Sequence, residues 1–435
     1  MRIRVAVAAV GCAAMLAGCG GPSDGEGAAA DDKKSPDPVS MANKGATPLV
    51  PVPRGDGSST PDDFNGDGLR DLVLDDLVHE GQGDDAGIGI AYGTRKGSAR
   101  GIDAGARRLL SARKNGAATK GQLPAAFDSA ASCDLNKDGF TDLVVATDPP
   151  YNGIGRPPVP LQILFGSPTG LGGKAVKLTV PGAARDGNEW SDQPVCGDFD
   201  GDKAADLVVH ASNAQISFLR GPFSKKGAPR SGKLLKAPGT VLRGPALDVD
   251  RDGYDDLVVY AGGGTAKSSL VLGGPTGPAQ TGVVFPAGDQ LALGRFGKGK
   301  GMDAAIGTGS GLALRYDVPG TARATLKGSS TGLRAGDFDG DGLSELVVVA
   351  QELKVYKGRT QGLSAAAPVK LPAGLTAARV VEVADLNGDE RDDLVVQLSE
   401  GEGKDRVAVY PGTKDGIAPK AEVTFSTAVF AKASS

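Results

Sequence analysis

A nine-residue acidic motif, D-x-[DN]-x-D-x-x-x-[DE], occurs six times along this chain of 435 residues. The copies begin at Asp63, Asp134, Asp198, Asp248, Asp337 and Asp385, and a short run of valine and leucine follows most of them. A seventh segment, 295–303, keeps the frame but has lost most of its acids. The seven starts are about 54 residues apart on average. Such a period indicates a repeat protein in which every unit is one small supersecondary element.

The sixth unit shows most clearly what one repeat contains. Short apolar runs at 333–336, 346–350, 353–357 and 368–371 are separated by the acidic loop and by glycine turns. This pattern predicts four antiparallel strands, with the acidic loop joining the first strand to the second. Seven such units fill residues 48–430, and we therefore predict an all-β, seven-bladed β-propeller. A β-solenoid is the alternative, but its coils are much shorter than this period.

The acidic loops have the ligand pattern of a calcium site. Oxygen ligands at positions 1, 3 and 5, a main-chain carbonyl at position 7 and a final carboxylate suit a hard cation. We predict about six structural Ca²⁺ sites, with blade five empty, and the alternative is a set of solvated acidic hairpins. The predicted ligands are Asp63, Asn65, Asp67, Leu69 and Asp71; Asp134, Asn136, Asp138, Phe140 and Asp142; Asp198, Asp200, Asp202, Ala204 and Asp206; Asp248, Asp250, Asp252, Tyr254 and Asp256; Asp337, Asp339, Asp341, Leu343 and Glu345; and Asp385, Asn387, Asp389, Arg391 and Asp393.

Position 6 of each loop requires a left-handed backbone, for which glycine is the usual residue. Lys203 and Glu390 stand there in two copies, and we expect those two sites to be the weakest. In the seventh segment Arg295 replaces the first aspartate. We expect Arg295 or a neighbouring lysine to pair with Asp303 in place of the ion, while apolar Phe296 keeps the blade intact.

A second motif follows most of the acidic loops, an aromatic–glycine turn such as Leu164-Phe-Gly166-Ser-Pro-Thr-Gly-Leu171. The alternation of the two motifs resembles the FG-GAP (VCBS) repeats that form the propeller of integrin α subunits. The resemblance covers roughly residues 55–428. It implies a propeller, calcium in the loops between strands one and two, and often an adhesion or partner-binding role. It does not imply an integrin, because six loaded blades exceed the four expected of an integrin α chain.

The N-terminus reads as a bacterial lipoprotein signal. Arg2 and Arg4 precede an apolar run that ends in Leu16-Ala17-Gly18-Cys19, too short for a comfortable transmembrane helix. We predict a signal peptide at 1–18, lipidation of Cys19 and a disordered tether at 19–47. The alternative is an ordinary secretory signal. The protein is then extracytoplasmic, and lipid is its only attachment to the cell membrane.

Cys133 and Cys196 lie one and two residues before their acidic loops in neighbouring blades. The offset of one residue points the two thiols to opposite faces of their sheets, which are the faces that meet between adjacent blades. Outside the cytoplasm this predicts a disulfide between blades two and three. Two separate buried thiols are the alternative.

The sequence favours a binding module over an enzyme. Only two histidines are present, and a net charge of −4 gives no indication of nucleic-acid binding. Long loops at 79–87, 148–160 and 183–194 carry Tyr151, Arg156 and Trp190, residue types that often anchor partners; solvated insertions are the alternative.

We therefore expect a monomeric calcium-binding adhesion or scaffold module whose partner is a protein or glycan at the cell surface. A carbohydrate-binding or polysaccharide-active propeller and a purely structural envelope protein are the other candidates. Closure of the ring stays open, with residues 48–53 either adding a strand to the last blade or simply leading in.

Overall fold

The computed structural model describes residues 47–75, 77, 87–97, 99–187, 190–212, 215–239, 241–260, 267–297, 299, 301–350, 352–364, 369–370, 379–399 and 405–431. The predicted signal peptide, Cys19 and all of the tether except Thr47 lie outside these residues.

Seven antiparallel sheets follow one another along the chain as the blades of a β-propeller, which confirms the predicted fold class. The first sheet has three strands among the described residues, β1 (Leu72–Leu74), β2 (Ile88–Lys96) and β3 (Ala99–Leu110). The next three sheets contain β4 (Phe127–Cys133), β5 (Asp142–Thr147), β6 (Leu161–Leu164) and β7 (Val176–Lys177); β8 (Val195–Gly197), β9 (Asp206–His210), β10 (Gln215–Arg220) and β11 (Ser231–Lys236); and β12 (Val241–Leu247), β13 (Asp256–Tyr260), β14 (Lys267–Leu272) and β15 (Gln280–Ala287).

The last three sheets are built in the same way. They contain β16 (Gln290–Gly294), β17 (Asp303–Thr308), β18 (Gly311–Arg315) and β19 (Arg323–Leu326); β20 (Gly332–Gly336), β21 (Glu345–Val349), β22 (Leu353–Tyr356) and β23 (Val369–Lys370); and β24 (Arg379–Ala384), β25 (Asp393–Leu398), β26 (Arg406–Tyr410) and β29 (Val423–Ser426). A small hairpin, β27 (Gly412–Thr413) with β28 (Gly416–Ile417), interrupts the seventh.

Helical structure in the described residues is limited to three single turns. These are α1 (Ala112–Asn115), α2 (Ala428–Ala431) and a 3₁₀ turn at Gly182–Ala184. No helix within the described part of the chain has the length and apolar character needed to cross a bilayer.

The second strand of each sheet explains the apolar runs after the acidic loops. In β9, β13, β21 and β25 the first four residues are all buried, although successive side chains point to opposite faces. Both faces of these strands are therefore covered, because each blade is packed between two others. A strand in that position reads as a continuous apolar run, without the alternation of a half-exposed strand.

Seven apolar clusters fill the interfaces between successive sheets, and this number shows that the ring is closed. Seven sheets in an open row would have only six interfaces. The seventh cluster joins Leu72 and Ala104 of the first sheet to Val407 and Phe425 of the last, and Phe430 of α2 completes it. The loop residue at position 2 enters the cluster shared with the following sheet, and Phe296 of blade five does so as predicted. These residues are fully buried or nearly so: Phe64, Leu135, Phe199, Val249, Phe296, Phe338 and Leu386.

The described residues close the ring without exchanging strands between the ends of the chain. The fourth strand of the last blade is β29, which is contiguous with its own repeat. Val50 instead donates one hydrogen bond, of 2.9 Å, to the carbonyl of Gly105 in β3 of the first sheet. Of the two alternatives for residues 48–53, the lead-in is therefore correct. A hydrogen bond also joins the two ends of the ring, because Nε of Arg107 in β3 donates to the carbonyl of Val429 in α2 at 3.0 Å.

Candidate metal loops and the opposite face

The six acidic loops lie where the sequence predicts them, between the first and second strands of their sheets. In blade two, for example, β4 ends at Cys133 and β5 begins at Asp142, the last residue of the loop. The first blade differs, because its loop precedes β1 and no strand is assigned before it in the described residues. All six loops therefore lie at one end of the strands, on the same face of the ring.

Each loop is wound around the carboxylate of its first aspartate. In the first loop Oδ2 of Asp63 accepts the backbone N–H of Gly68 at 2.7 Å, and Oδ1 accepts that of Gly66 at 2.7 Å. The bond from the position-6 N–H recurs at 2.8 to 3.0 Å in the other five loops, from Gly139, Lys203, Gly253, Gly342 and Glu390. The backbone thus fixes the first carboxylate before any ligand is considered.

A second recurring bond turns the chain so that the acidic side chains converge. In all six loops the position-7 N–H donates to Oδ1 of the position-5 aspartate, as from Leu69 to Asp67 at 3.0 Å. In three loops, ligand oxygens of three acids then lie within 4.8 Å of one another: Asp198, Asp200 and Asp206; Asp248, Asp250 and Asp256; and Asp337, Asp339 and Glu345. The other three loops have asparagine at position 3, which supplies an amide oxygen in place of a carboxylate.

Two loop positions have a left-handed backbone, and the sequence revealed only one of them. Position 6 is left-handed as predicted, including at Lys203 (φ 62°) and Glu390 (φ 66°). Position 4 is left-handed as well, and Lys137 (φ 59°) and Arg251 (φ 65°) occupy it in two loops. Each of these four residues bears a steric cost that glycine avoids.

The size of the position-4 residue is matched to position 7 of the next blade. A Cβ added to Gly66 would lie 2.5 Å from the ring of Phe140, and one added to Gly201 would lie 2.7 Å from the ring of Tyr254. Lys137, by contrast, is followed by small Ala204 at position 7 of the next loop. Neighbouring loops therefore pack against each other directly.

The final acid of each loop connects the loop to the third strand of its own sheet. In blade two Oδ2 of Asp142 accepts the N–H of Leu135 at 3.0 Å, and Oδ1 accepts that of Gly166 at 2.9 Å. Loops one, four, six and seven repeat both bonds. A Cβ on Gly166 would lie 2.4 Å from the carbonyl oxygen of Thr141. The glycine of the aromatic–glycine turn is thus required by close backbone contact.

Burial and crowding with other carboxylates raise the pKa of the final acids. Desolvation, opposed by the amide bonds and reinforced by Asp134 and Asp138, raises the pKa of Asp142 to about 8. The pKa is raised to about 7 for the corresponding acids Asp206, Asp256, Glu345 and Asp393, with desolvation again the largest cause. A nearby cation is the usual way to keep such groups ionised at neutral pH.

Orphaned oxygens show that the loops suit a cation. Asp206 is fully buried, and its Oδ2 has no hydrogen-bond donor among the described residues. Four further oxygens at positions 1 and 3 also lack a donor among the described residues: Asn65 Oδ1, Asp198 Oδ1, Asp250 Oδ1 and Asn387 Oδ1. Buried oxygens without donors are costly unless something electropositive meets them. A hard divalent cation fits this donor set.

In blade five the structure gives Asp303 a backbone partner where we expected a cation. Oδ1 of Asp303 accepts the N–H of Asp317 at 2.7 Å, and Asp317 stands where other blades have the third-strand glycine. Burial raises the pKa of Asp303, and Asp317 adds to the rise. Lys298 and Lys300 lie outside the described residues. Within the described part of the chain, Asp303 therefore has the backbone N–H of Asp317 as its partner, in place of the expected Arg295 side chain.

The sulfurs of Cys133 and Cys196 are bonded to each other in the structure. Their Cα atoms are 6.3 Å apart, and the bridge joins the first strands of blades two and three. Such a bond persists in oxidising compartments.

Two of the three long loops meet on the face opposite the metal loops. The ring of Tyr151 packs edge-on against that of Trp190, with centroids 5.6 Å apart. Nη2 of Arg185 donates to the carbonyl of Pro157 at 2.8 Å, and the side chain of Arg156 is exposed. In the third loop only Gly87 is described, so the expectation for 79–87 lies outside the described residues.

A cavity of about 300 Å³ that the sequence did not reveal lies beside the first sheet. It is bounded by β1, β4 and β24, where the other sheets have their first strand. Asp62 pairs with Arg70 there at 3.2 Å. Desolvation and the nearby Asp62 raise the pKa of Glu382, whose side chain lines the cavity, to about 7. No motif signals this site, because it lies where the described residues of the first repeat form no first strand.

Two segments of the chain, residues 134–209 and 337–396, match a model of the FG-GAP-like repeat. The chain contains FG-GAP-like repeats. Each matched segment includes two acidic loops and the strand that follows each of them, so the FG-GAP-like match falls on the units whose geometry is described above.

Three solved structures are similar to the chain in fold. The crystal structure of BBS1N in complex with ARL6DN, soaked with lead, has 15% identity and a TM-score of 0.39, and the match covers 67% of this chain and 81% of that one. The mercury-soaked crystal of the same complex has 15% identity and a TM-score of 0.43, with 82% and 92% covered. The Dos1 propeller has 9% identity and a TM-score of 0.44, with 85% and 86% covered. No curated protein matches the chain.

Proposed function

We propose that this protein is a lipid-anchored, extracytoplasmic FG-GAP-like propeller that holds calcium in six loops and presents its opposite face to a partner. The observation that carries the metal assignment is the repeated oxygen cage. In blade three, three acids converge within 4.8 Å, and the fully buried Asp206 keeps an oxygen without a donor. Calcium prefers such oxygen-rich, irregular sites.

The role of the ion is structural. Every loop is wedged between two blades, since its position-2 side chain fills the cluster shared with the next sheet. When bound, calcium neutralises the crowded carboxylates. The residues that would hold it are those at positions 1, 3, 5, 7 and 9. Because the loops contact one another around one face, filling them stabilises the interfaces as well as the individual turns.

Calorimetry on the chelator-treated full chain tests the metal assignment. We expect titration with Ca²⁺ to saturate at about six ions with dissociation constants of about 10⁻⁴ to 10⁻³ M, the range of extracellular modules. Asp256→Asn should remove one site. Asp415→Asn is the matched control, because Asp415 is an exposed acid outside the loops that pairs with Lys414. Identical melting in millimolar Ca²⁺ and in excess EDTA would refute the assignment.

The location rests on the sequence Leu16-Ala17-Gly18-Cys19 and is supported by the Cys133–Cys196 bond. Cys19→Ser should release the protein from the membrane fraction and abolish metabolic labelling with palmitate. Labelling that survives the substitution would contradict the anchor.

The partner is a surface protein or glycan that contacts the segments around Tyr151, Arg156 and Trp190. The supporting observation is the packing of Tyr151 on Trp190, which brings two long loops together into one surface. Cross-linking on intact cells, with and without chelator, identifies a protein partner, and a glycan array tests the carbohydrate alternative. Capture unaffected by Trp190→Ala and Arg156→Ala would exclude this surface.

A further inference from the structure

The residue before the third-strand glycine differs between blades in a way that concerns the metal loops. It is uncharged in five blades, namely Tyr92, Phe165, Leu272, Tyr316 and Pro411. In blades three and six it is a cation, Arg220 and Lys357. The next backbone N–H, from Gly221 or Gly358, donates to the final acid of the same loop. The side chain at this position is thus held next to the metal site.

Both cations reach an acid at position 3 of their loop. Nε of Arg220 lies 2.5 Å from Oδ2 of Asp200, and its Nη2 lies 2.9 Å from Oδ2 of Asp202. Nζ of Lys357 pairs with Oδ2 of Asp339. The side chains of Asp200 and Asp339 are only 2% and 3% exposed. These carboxylates therefore already have a positive partner before a metal enters.

The cations match the charge of the loops. Blades one, two and seven have asparagine at position 3 and three acids at the side-chain ligand positions, whereas blades three, four and six have aspartate there and four acids. Arg220 and Lys357 offset the additional acid in blades three and six. Blade four has Leu272 instead, so its extra acid keeps its charge.

We propose that Arg220 and Lys357 are internal counter-ions that compete with calcium for the position-3 carboxylates, so that the loop of blade four fills first and those of blades three and six fill later. The inference rests on the proposed calcium binding. It adds charge to the ranking expected from backbone strain, under which Lys203 and Glu390 make the sites of blades three and seven the weakest.

Other cations near the loops do not alter this order. Lys225 lies 3.2 Å from Asp138 and Arg391 lies 3.4 Å from Asp389, but both contact position 5. The Lys225 side chain is 75% exposed, and Arg391 reaches an acid that is itself exposed. Exposed ion pairs of this kind contribute little because water screens them.

Terbium luminescence gives a readout for two of the loops, namely the part of the emission that depends on Tyr254. Tyr254 is the position-7 residue of the blade-four loop, and its ring lies over Gly201 of the blade-three loop. Terbium substitutes for calcium as a hard cation, and excitation of Tyr254 should make it emit in both loops. The chelator-treated full chain is titrated with Tb³⁺ as wild type and as Tyr254→Phe, and the part of the emission that Tyr254→Phe removes should rise in two phases.

Exchange of the side chains between blades three and four tests the proposal. Arg220→Leu should strengthen the second phase on the order of tenfold, because the loop regains a full negative charge. Leu272→Arg should weaken the first phase by a similar factor. Arg220→Lys retains a cation and should leave the second phase within about threefold of the wild type. Calorimetry with Ca²⁺ should show Lys357→Leu converting one weak site into a strong one.

The outcomes of these experiments distinguish a failure of the counter-ion role from a failure of the proposed calcium binding. Unchanged affinities in Arg220→Leu and Leu272→Arg, with six ions still bound, would overturn the counter-ion role alone. If the wild type shows no saturable binding of Tb³⁺ or Ca²⁺ in the millimolar range, calcium binding and the counter-ion role both fail.

Discussion

The contact between neighbouring loops can be measured with two alanine substitutions at left-handed glycines. Gly201 (φ +74°) meets the ring of Tyr254, 2.7 Å from where its Cβ would lie. Gly253 (φ +92°) has no described atom within 4 Å of that point. Alanine costs about 1–2 kcal/mol in a left-handed conformation, and loss of glycine entropy in the unfolded chain returns about 0.4–1 kcal/mol. Gly253→Ala should therefore destabilise by about 1 kcal/mol.

Gly201→Ala bears the same backbone cost and must also displace the Tyr254 ring. Overpacking of this kind adds about 1–3 kcal/mol, so the variant should lose about 2–4 kcal/mol in total. Urea denaturation at saturating Ca²⁺, followed by circular dichroism, gives both values under the same conditions. In a Tyr254→Ala background the two substitutions should become equal.

Equal destabilisation of Gly201→Ala and Gly253→Ala in the wild-type background would refute the interblade contact. If Gly201→Ala still destabilises more than Gly253→Ala in the Tyr254→Ala background, the additional cost arises within the blade-three turn and not from the contact between blades.

Three further predictions concern the loops and the bridge. Because burial raises the pKa of Asp142 to about 8 in the metal-free fold, while its unfolded value is near 3.9, the folded state binds more protons. The melting temperature in EDTA should fall as pH rises from about 4 to 8, and excess Ca²⁺ should remove the slope; a rising melting temperature in EDTA would contradict the assignment. Cys133→Ser should lower the free energy of unfolding by about 4 kcal/mol, because the bond closes a loop between cysteines 63 residues apart. As a control, the variant should have the same urea midpoint as wild type whose disulfide has been reduced. Lys203→Gly and Glu390→Gly should each raise the free energy of unfolding, measured by urea denaturation, by up to about 1 kcal/mol, and a lowered free energy would show that their side chains stabilise the loops.

The periodic features of this fold could be predicted from the sequence because each depends on residues close together in the chain. An acidic loop, a buried strand after it and a glycine turn lie within one repeat, so the period gave seven sheets and the loop positions. The left-handed position 6 was visible because glycine occupies it in four of the six loops. Position 4 carries glycine equally often, in Gly66, Gly201, Gly340 and Gly388, so the sequence held the same signal there although we did not predict it.

Features that depend on register between strands could not be predicted in the same way. Arg220 meets Asp202 across 18 residues, and only the pairing of β9 with β10 places them together. The cavity beside Glu382 is a stronger case, because the part of the first sheet that the structure describes has three strands where the other sheets have four. A sequence pattern indicates the strands that each repeat forms, but it gives no signal for a cavity bounded by strands of three different sheets.

The ring is closed by side-chain packing between the first and last blades, and this has a consequence for how the chain is made. Every described sheet uses only strands from one continuous segment of the chain, so each can form as soon as that segment has been synthesised. A propeller that shares a strand between its two ends must wait for the whole polypeptide before that blade is complete. Here the last step is the packing of the C-terminal turn, with Phe430, against the first blade, which has already formed. The order of synthesis and the order of assembly coincide.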